Sequence, residues 1–260
     1  MDFSQVWIST INYVLTNGSI VAPRNKLTRE IPQHTIEVDM RRPVLCVPAR
    51  SLGYRFMAAE AYWILSGDDR VETIAPYSAR IKDFSDDGER FFGAYGPKIV
   101  AQLPYVVEKL LSDPRSRQAG LTIWRECPPE TKDVPCTVAV FFAIRNDKLN
   151  AHVFMRSSDV WLGVPYDVFN FSMLSHLVCG LLNEQFDLGD QVSPGKLYLT
   201  AASSHLYQEN WEDAKFCTTS QIFNQPTTDT LLWNDPRHLM EVLRQLRDTK
   251  SGHPLRWWEL

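Results

Sequence analysis

Apolar residues at helical spacing open the chain: Phe3, Val6, Trp7, Ile11 and Val14 predict an amphipathic helix over the first fifteen positions. Segment 17–33, NGSIVAPRNKLTREIPQ, loses that period and reads as a polar loop carrying Arg24, Lys26 and Arg29. Residues 54–65, YRFMAAEAYWIL, read as a buried helix closed by Ser66-Gly67-Asp68-Asp69. Glu60 is stranded among its apolar neighbours, and a buried carboxylate is costly without a partner. Residues 67–97 are rich in Asp, Gly, Arg and aromatics and predict irregular surface structure up to Tyr95-Gly96-Pro97. A helix from about Pro97 to Leu111 then leads to the turn Asp113-Pro114-Arg115-Ser116-Arg117.

The central third has strand character in LTIW at 121–124, CTVAVFFAI at 136–144 and KLNAHVFM at 148–155. Arg145-Asn146-Asp147 reads as a tight turn between the last two. The apolar stretch 165–182 predicts a buried helix, because its opening Pro165 is tolerated in a first turn. Residues 196–202 read as a strand, 206–217 as a helix and 236–248 as an amphipathic helix. Central strands flanked by helices predict an α+β fold, with helices against one face of a mixed sheet. No repeat or linker divides the chain, so a single domain over 1–260 is expected.

Composition narrows the function classes. A net charge of −4 and a pI near 5.9 argue against a nucleic-acid partner, while leaving room for a local basic pocket. No apolar run approaches a membrane span and the N-terminus lacks a leader pattern, so a soluble, cytoplasmic protein is expected. Five irregularly spaced cysteines with no CxxC pair fit neither a disulfide framework nor a zinc site, and no metal is expected.

Among those cysteines, Cys136 follows a proline at the start of a strand, where its side chain can project into a cleft. Some twenty residues on lies the polar run RSSDVWLGVPYDVFNFS, beginning at Arg156. A thiol needs a nearby cation to ionise at neutral pH, and Arg156 is the candidate, although a surface ion pair would explain it equally. Asp159, four residues before Gly163, reads as a ligand for a polar ring or as a loop or helix cap. Asp167 lies in the first turn of an otherwise apolar helix, where it would need a specific partner or simply answer the helix dipole. His205 and Tyr207 would face one side if the preceding strand reaches them; a core histidine beside a packing tyrosine is the alternative.

These residues accumulate into a resemblance. EAYWILSGD from Glu60, AYG from Ala94, DPRSR from Asp113, VPC ending at Cys136, RSSDVWLGVPYDVFNFSML from Arg156 and SSHLY ending at Tyr207 resemble, in order, the motifs of thymidylate synthase and the pyrimidine nucleotide hydroxymethylases. The resemblance implies a homodimer whose sheets pack back to back, with 5,10-methylenetetrahydrofolate as one-carbon donor. It implies that Cys136 attacks C6 of the pyrimidine of a bound nucleoside monophosphate, turning C5 into a carbon nucleophile. By the same resemblance Arg156, Ser157 and Arg24 bind the substrate phosphate, and Arg117 is lent across the dimer to the partner's phosphate. Asp159 and Gly163 belong to the folate site, Glu60 organises water and proton movement, and Tyr95 assists removal of the C5 proton. His205 and Tyr207 hold the sugar 3′-hydroxyl.

Three departures stand out. Gln118 occupies a position where the family usually has a second arginine, which weakens or alters the phosphate clamp. Asp167 replaces the asparagine that reads uracil in thymidylate synthases, and the family's dCMP hydroxymethylases carry aspartate there. An ionised Asp167 accepts from the cytosine N4 amino group, and a protonated one also donates to N3, so dCMP is the expected substrate. The chain ends Arg256-Trp257-Trp258-Glu259-Leu260 instead of in small apolar residues that seal out water, which favours a hydroxymethyl over a methyl product. CMP, dUMP, a methyl product, or an inactive nucleotide- or RNA-binding homologue remain the alternatives.

Overall fold

In the computed structural model, which describes residues 2–186, 191–223 and 227–249, the opening helix α1 (Phe3–Asn17) follows the apolar spacing. The Asp2 carboxylate caps it by accepting from Ser4 N at 2.8 Å. Phe3, Trp7, Ile11 and Val14 are buried, and Trp7 Nε1 donates to Val160 O at 2.7 Å. That bond ties α1 to the chain just after Asp159.

Seven strands form one sheet among the described residues. They are β1 (Ser19–Val21), β2 (Thr28–Asp39), β3 (Gly120–Thr122), β4 (Thr137–Arg145), β5 (Lys148–Met155), β6 (Ser158–Asp159) and β7 (Ser193–Tyr207). Their order is β1-β2-β7-β5-β4-β3, with β6 also against β7. β5 and β6 run parallel to β7 and the other pairs are antiparallel, so the sheet is mixed. The β4–β5 hairpin turns where predicted, with Asn146 and Asp147 at φ 52° and 58°, the left-handed geometry that matches strand twist.

The loop expected over 17–33 is instead β1 and the first half of β2. Its polar side chains hide the strand because sheet pairing is a main-chain property, and β2 is flanked by β1 and β7 on both edges. The ladder to β7 skips Gln33, which sits at φ 51°. The helix expected from 206 also starts later. Leu206 and Tyr207 still pair with Arg29 and Thr28, and α6 begins at Trp211 (Trp211–Thr218).

The remaining helices are α2 (Tyr54–Leu65), α3 (Val71–Ile74), α4 (Tyr95–Ser112), α5 (Val164–Asn183) and α7 (Pro236–Asp248). Tyr95 is therefore the first residue of α4, two positions earlier than the sequence pattern placed that helix. Parallel β5 and β7 need a crossover, and the chain makes it through β6 and α5. Buried on almost every side, α5 packs against the sheet, α2, α4 and α7. The start of α5 consequently lies beside the ends of the strands that carry Arg156, Asp159 and His205. No helix among the described residues is long and apolar enough to cross a membrane. The terminal residues Arg256–Leu260 lie outside the described residues.

Candidate active site

Strand pairing brings Cys136 and Arg156 together. Thr137 pairs with Met155, and Arg156 N donates to Cys136 O at 2.9 Å. The Arg156 guanidinium donates through Nε to Pro135 O and through Nη2 to Val134 O, each at 2.9 Å. These bonds leave Nη1 unengaged among the described residues. Arg156 thus braces the loop that carries Cys136 while keeping one donor group free for an anion. Burial pushes the Cys136 thiol up, against the pull of Arg156 and Arg24 and with help from Asp167 and Asp133. Arg156 does not, as expected from sequence, lower the thiol overall, because desolvation of the charged form outweighs it.

Arg24 reaches the same region from the turn between β1 and β2, where it and Asn25 hold left-handed φ values of 53° and 60°. Its Nη2 donates to Tyr207 Oη at 3.4 Å. Because β7 continues through Tyr207, His205 and Tyr207 do share a face, with ring centroids 5.2 Å apart in an edge contact. His205 Nδ1 is buried without a partner among the described residues. Ser157 is half-buried next to Arg156, and Arg117 is exposed on the turn after α4.

A cavity of about 620 Å³ has Glu60, Tyr95, Gly163 and Asp167 in its wall, whereas Cys136, Asp159, Arg117 and the Arg24, Arg156, Ser157, His205 and Tyr207 group lie outside that lining. Tyr95 Oη accepts from Thr137 N at 3.2 Å and Thr137 Oγ1 at 3.1 Å, so the phenol hydrogen points elsewhere. Burial, with the nearby Asp167 and Cys136, holds this phenol above its ordinary range. Glu60 projects from the middle of α2, and burial pushes its carboxyl up to about 7. Asn170 Nδ2 donates to Glu60 Oε2 at 2.7 Å, which opposes that shift.

Asp167 sits in the first turn of α5, and its carboxyl is held well above the usual carboxylate range by burial, then by Glu60 and Asp159. A side chain at Gly163 would crowd it, since a Cβ there would lie 3.1 Å from Asp167 Oδ2 and 3.2 Å from Asp159 O. Asp159 Oδ1 accepts from Trp161 N at 2.8 Å and Leu162 N at 2.9 Å. It is a cap as well as a candidate ligand, with Oδ2 left over. Burial raises this carboxyl too, opposed by those amides, His205 and Arg50.

Sequence reasoning missed several wall residues, Arg50, Asp133 and Asn170 among them. Arg50 stacks over Trp161, 4.3 Å from its ring centroid, and donates to Trp161 O at 2.9 Å. Asp133 accepts from Gly93 N at 2.7 Å and faces the same cavity. Asn170 follows Asp167 by three residues on α5, a helical spacing that could have flagged it. Arg50 and Asp133 lie in loops, with no periodicity to reveal where they point. Phe56, Trp63, Phe84, Phe91 and Tyr166 complete an aromatic lining suited to a flat heterocycle.

Residues 5–242 match the sequence model of thymidylate synthase. The chain belongs to the thymidylate synthase family. It is similar to the deoxyuridylate hydroxymethyltransferase of Bacillus phage SP01, at 27% identity covering 80% of this chain and 58% of the relative. Family membership accounts for the order of the motifs and for the mixed sheet flanked by helices. It leaves the base, the product and the individual residue roles to be argued from the site.

Proposed function

We propose that this protein is a deoxycytidylate 5-hydroxymethylase using 5,10-methylenetetrahydrofolate and water. The observation that carries the base assignment is the cluster of acceptors around Asp167. Burial, then the nearby Glu60 and Asp159, push its carboxyl well above the ordinary carboxylate range, which favours the protonated form. A neutral carboxyl can pair with either pyrimidine, because turning it exchanges O–H and C=O. Its neighbours then discriminate. The amino group at C4 of cytosine brings hydrogens to an acceptor-rich wall, whereas the uracil O4 brings another acceptor, and such a mismatch costs several-fold to many-fold in specificity.

In this reading Cys136 adds to C6 while Arg156, Ser157 and Arg24 hold the phosphate, and His205 and Tyr207 hold the sugar. The folate, when bound, supplies a carbon at the oxidation level of formaldehyde. The aromatic lining with Asp159 Oδ2 and Gly163 fits its ring, and Arg50 provides a cation at the same wall. Tyr95 Oη lies next to Thr137, one residue beyond the thiol, and helps take the C5 proton. Glu60, poised near neutrality at about 7, holds the water that completes the hydroxymethyl group.

Mass analysis of products from dCMP, dUMP and CMP with the folate tests this. Gain of CH2O on dCMP is expected; product from dUMP alone would sink the base assignment, and gain of CH2 with dihydrofolate would sink the water route. The second reading, hydroxymethylation of dUMP, is favoured by the name of the phage relative, a deoxyuridylate hydroxymethyltransferase.

A second copy of the chain is the proposed cover for the sheet face away from α5. Phe141 and Phe154 lie there 42% and 44% exposed, in an edge contact, beside His152 stacked on Tyr198. An apolar sheet face of this kind calls for a partner surface. Arg117 would reach the partner's phosphate from this dimer. Phe154→Lys should give monomers with reduced activity by sedimentation and turnover assay; a fully active monomer would refute both points.

A further inference from the structure

We infer that Asn170 is a positioning residue that steadies Glu60 in both of its protonation states by turning its side-chain amide. The inference rests on the reading of Glu60 as the carboxyl that exchanges a proton with water. Asn170 is 6% exposed, and its Nδ2 donates to Glu60 Oε2 at 2.7 Å. Its Oδ1 is buried and has no partner among the described residues. Buried polar atoms are seldom left in that condition, so an orphaned acceptor beside a proton-exchanging carboxyl calls for an explanation.

The amide supplies one. While Glu60 is ionised it needs a donor, and Nδ2 provides it. Once Glu60 takes a proton it needs an acceptor, and a half-turn of the amide brings Oδ1 to the new O–H. The terminal torsion of asparagine is broad and roughly two-fold, so both orientations are accessible. Because Oδ1 holds no other bond, the turn sacrifices nothing on that side. A lysine or arginine here would favour only the ionised form, and an aspartate would add a like charge. Glu60 titrates close to neutral pH, so both states are visited under working conditions.

The test is a pH titration of protein labelled with carboxyl-13C glutamate, with Glu60→Gln identifying the Glu60 signal by its loss. Asn170→Leu removes donor and acceptor at similar volume; should it fail to fold, Asn170→Ala serves the same titration. The Glu60 midpoint should rise by about one pH unit, since the charge-assisted bond lost from the ionised form is stronger than the neutral bond lost from the protonated form. The limb of kcat/KM that Glu60 controls should move with it. In the unsubstituted protein, the side-chain 15N signal of Asn170 should shift through the same midpoint. An unmoved Glu60 midpoint, or an Asn170 signal constant through the titration, overturns the inference. The titrations need no substrate, so a failure of the dCMP assignment would show separately in the product assay.

Discussion

On one side of the site Cys136 and Arg156 are held by strand pairing and by main-chain carbonyls; on the other, Glu60, Asp167 and Asn170 meet across α2 and α5 with few bonds among them. The thiol side is braced by the sheet, and its cations Arg156 and Arg24 are exposed, as the proposed phosphate role requires. The carboxyl side is buried, short of partners and electrostatically unfavourable to its own charges, with Glu60 and Asp167 both pushed upward. Strain of this kind is affordable where the surrounding helices are already fixed by packing, and α5 is buried almost throughout. In the proposed function the contrast separates two jobs: geometry would deliver the thiol, and desolvation would tune the acids assigned to proton handling and base reading.

The sharpest way to break the contrast is Cys136→Ser. Turnover should fall by about 10⁴-fold or more while nucleotide binding, followed by calorimetry, stays within a few-fold. An active serine variant would mean that the rigid side does not carry the covalent step. On the tuned side, Glu60→Gln should lower kcat by roughly 10²- to 10³-fold.

The same variant should also change stability against pH. Glu60 titrates at about 7 when folded against 4.5 as its ordinary value, so the unfolded chain ionises first as pH rises. Its contribution is complete below 4.5, is lost progressively between 4.5 and 7, and is constant above that range. Melting temperatures of Glu60→Gln should accordingly lack that part of the decline. A wild-type and variant difference independent of pH would show that the carboxyl is not tuned by burial.

Asp167→Asn should move the ratio of kcat/KM for dUMP over dCMP upward by about 10- to 100-fold, measured by competition between the two substrates. An unchanged ratio would take base reading away from this residue. The smallest effect is expected far from the chemistry. Asp2→Ala removes the cap of α1 and should cost about 1 kcal/mol in denaturant unfolding, with kcat unaltered.

Much of this layout was legible in the chain. Helices with strong apolar spacing, α1, α2, α5 and α7, fall where the pattern puts them, as do the β4–β5 hairpin and its Asn146-Asp147 turn. What escaped was the start of β2, whose partner β7 lies more than 170 residues away along the chain at Glu30 and His205, and with it β1, which pairs only with that stretch of β2. Arg50 and Asp133 escaped for a related reason. Each reaches the cavity from a loop whose direction depends on contacts with distant residues, Trp161 for one and Gly93 for the other.

The sequence by itself determined the family, the helical scaffold and the chemical types gathered in VPC and the polar run after Arg156, since motif order and side-chain identity survive without coordinates. Only the tertiary structure decided their states. How Cys136 ionises depends on its burial against the nearby charges of Arg156 and Arg24; how far Asp167 is pushed up depends first on its burial and then on Glu60, brought to it from a different helix. Charge state is set by everything within a few ångströms in space, and the chain alone does not say what that is.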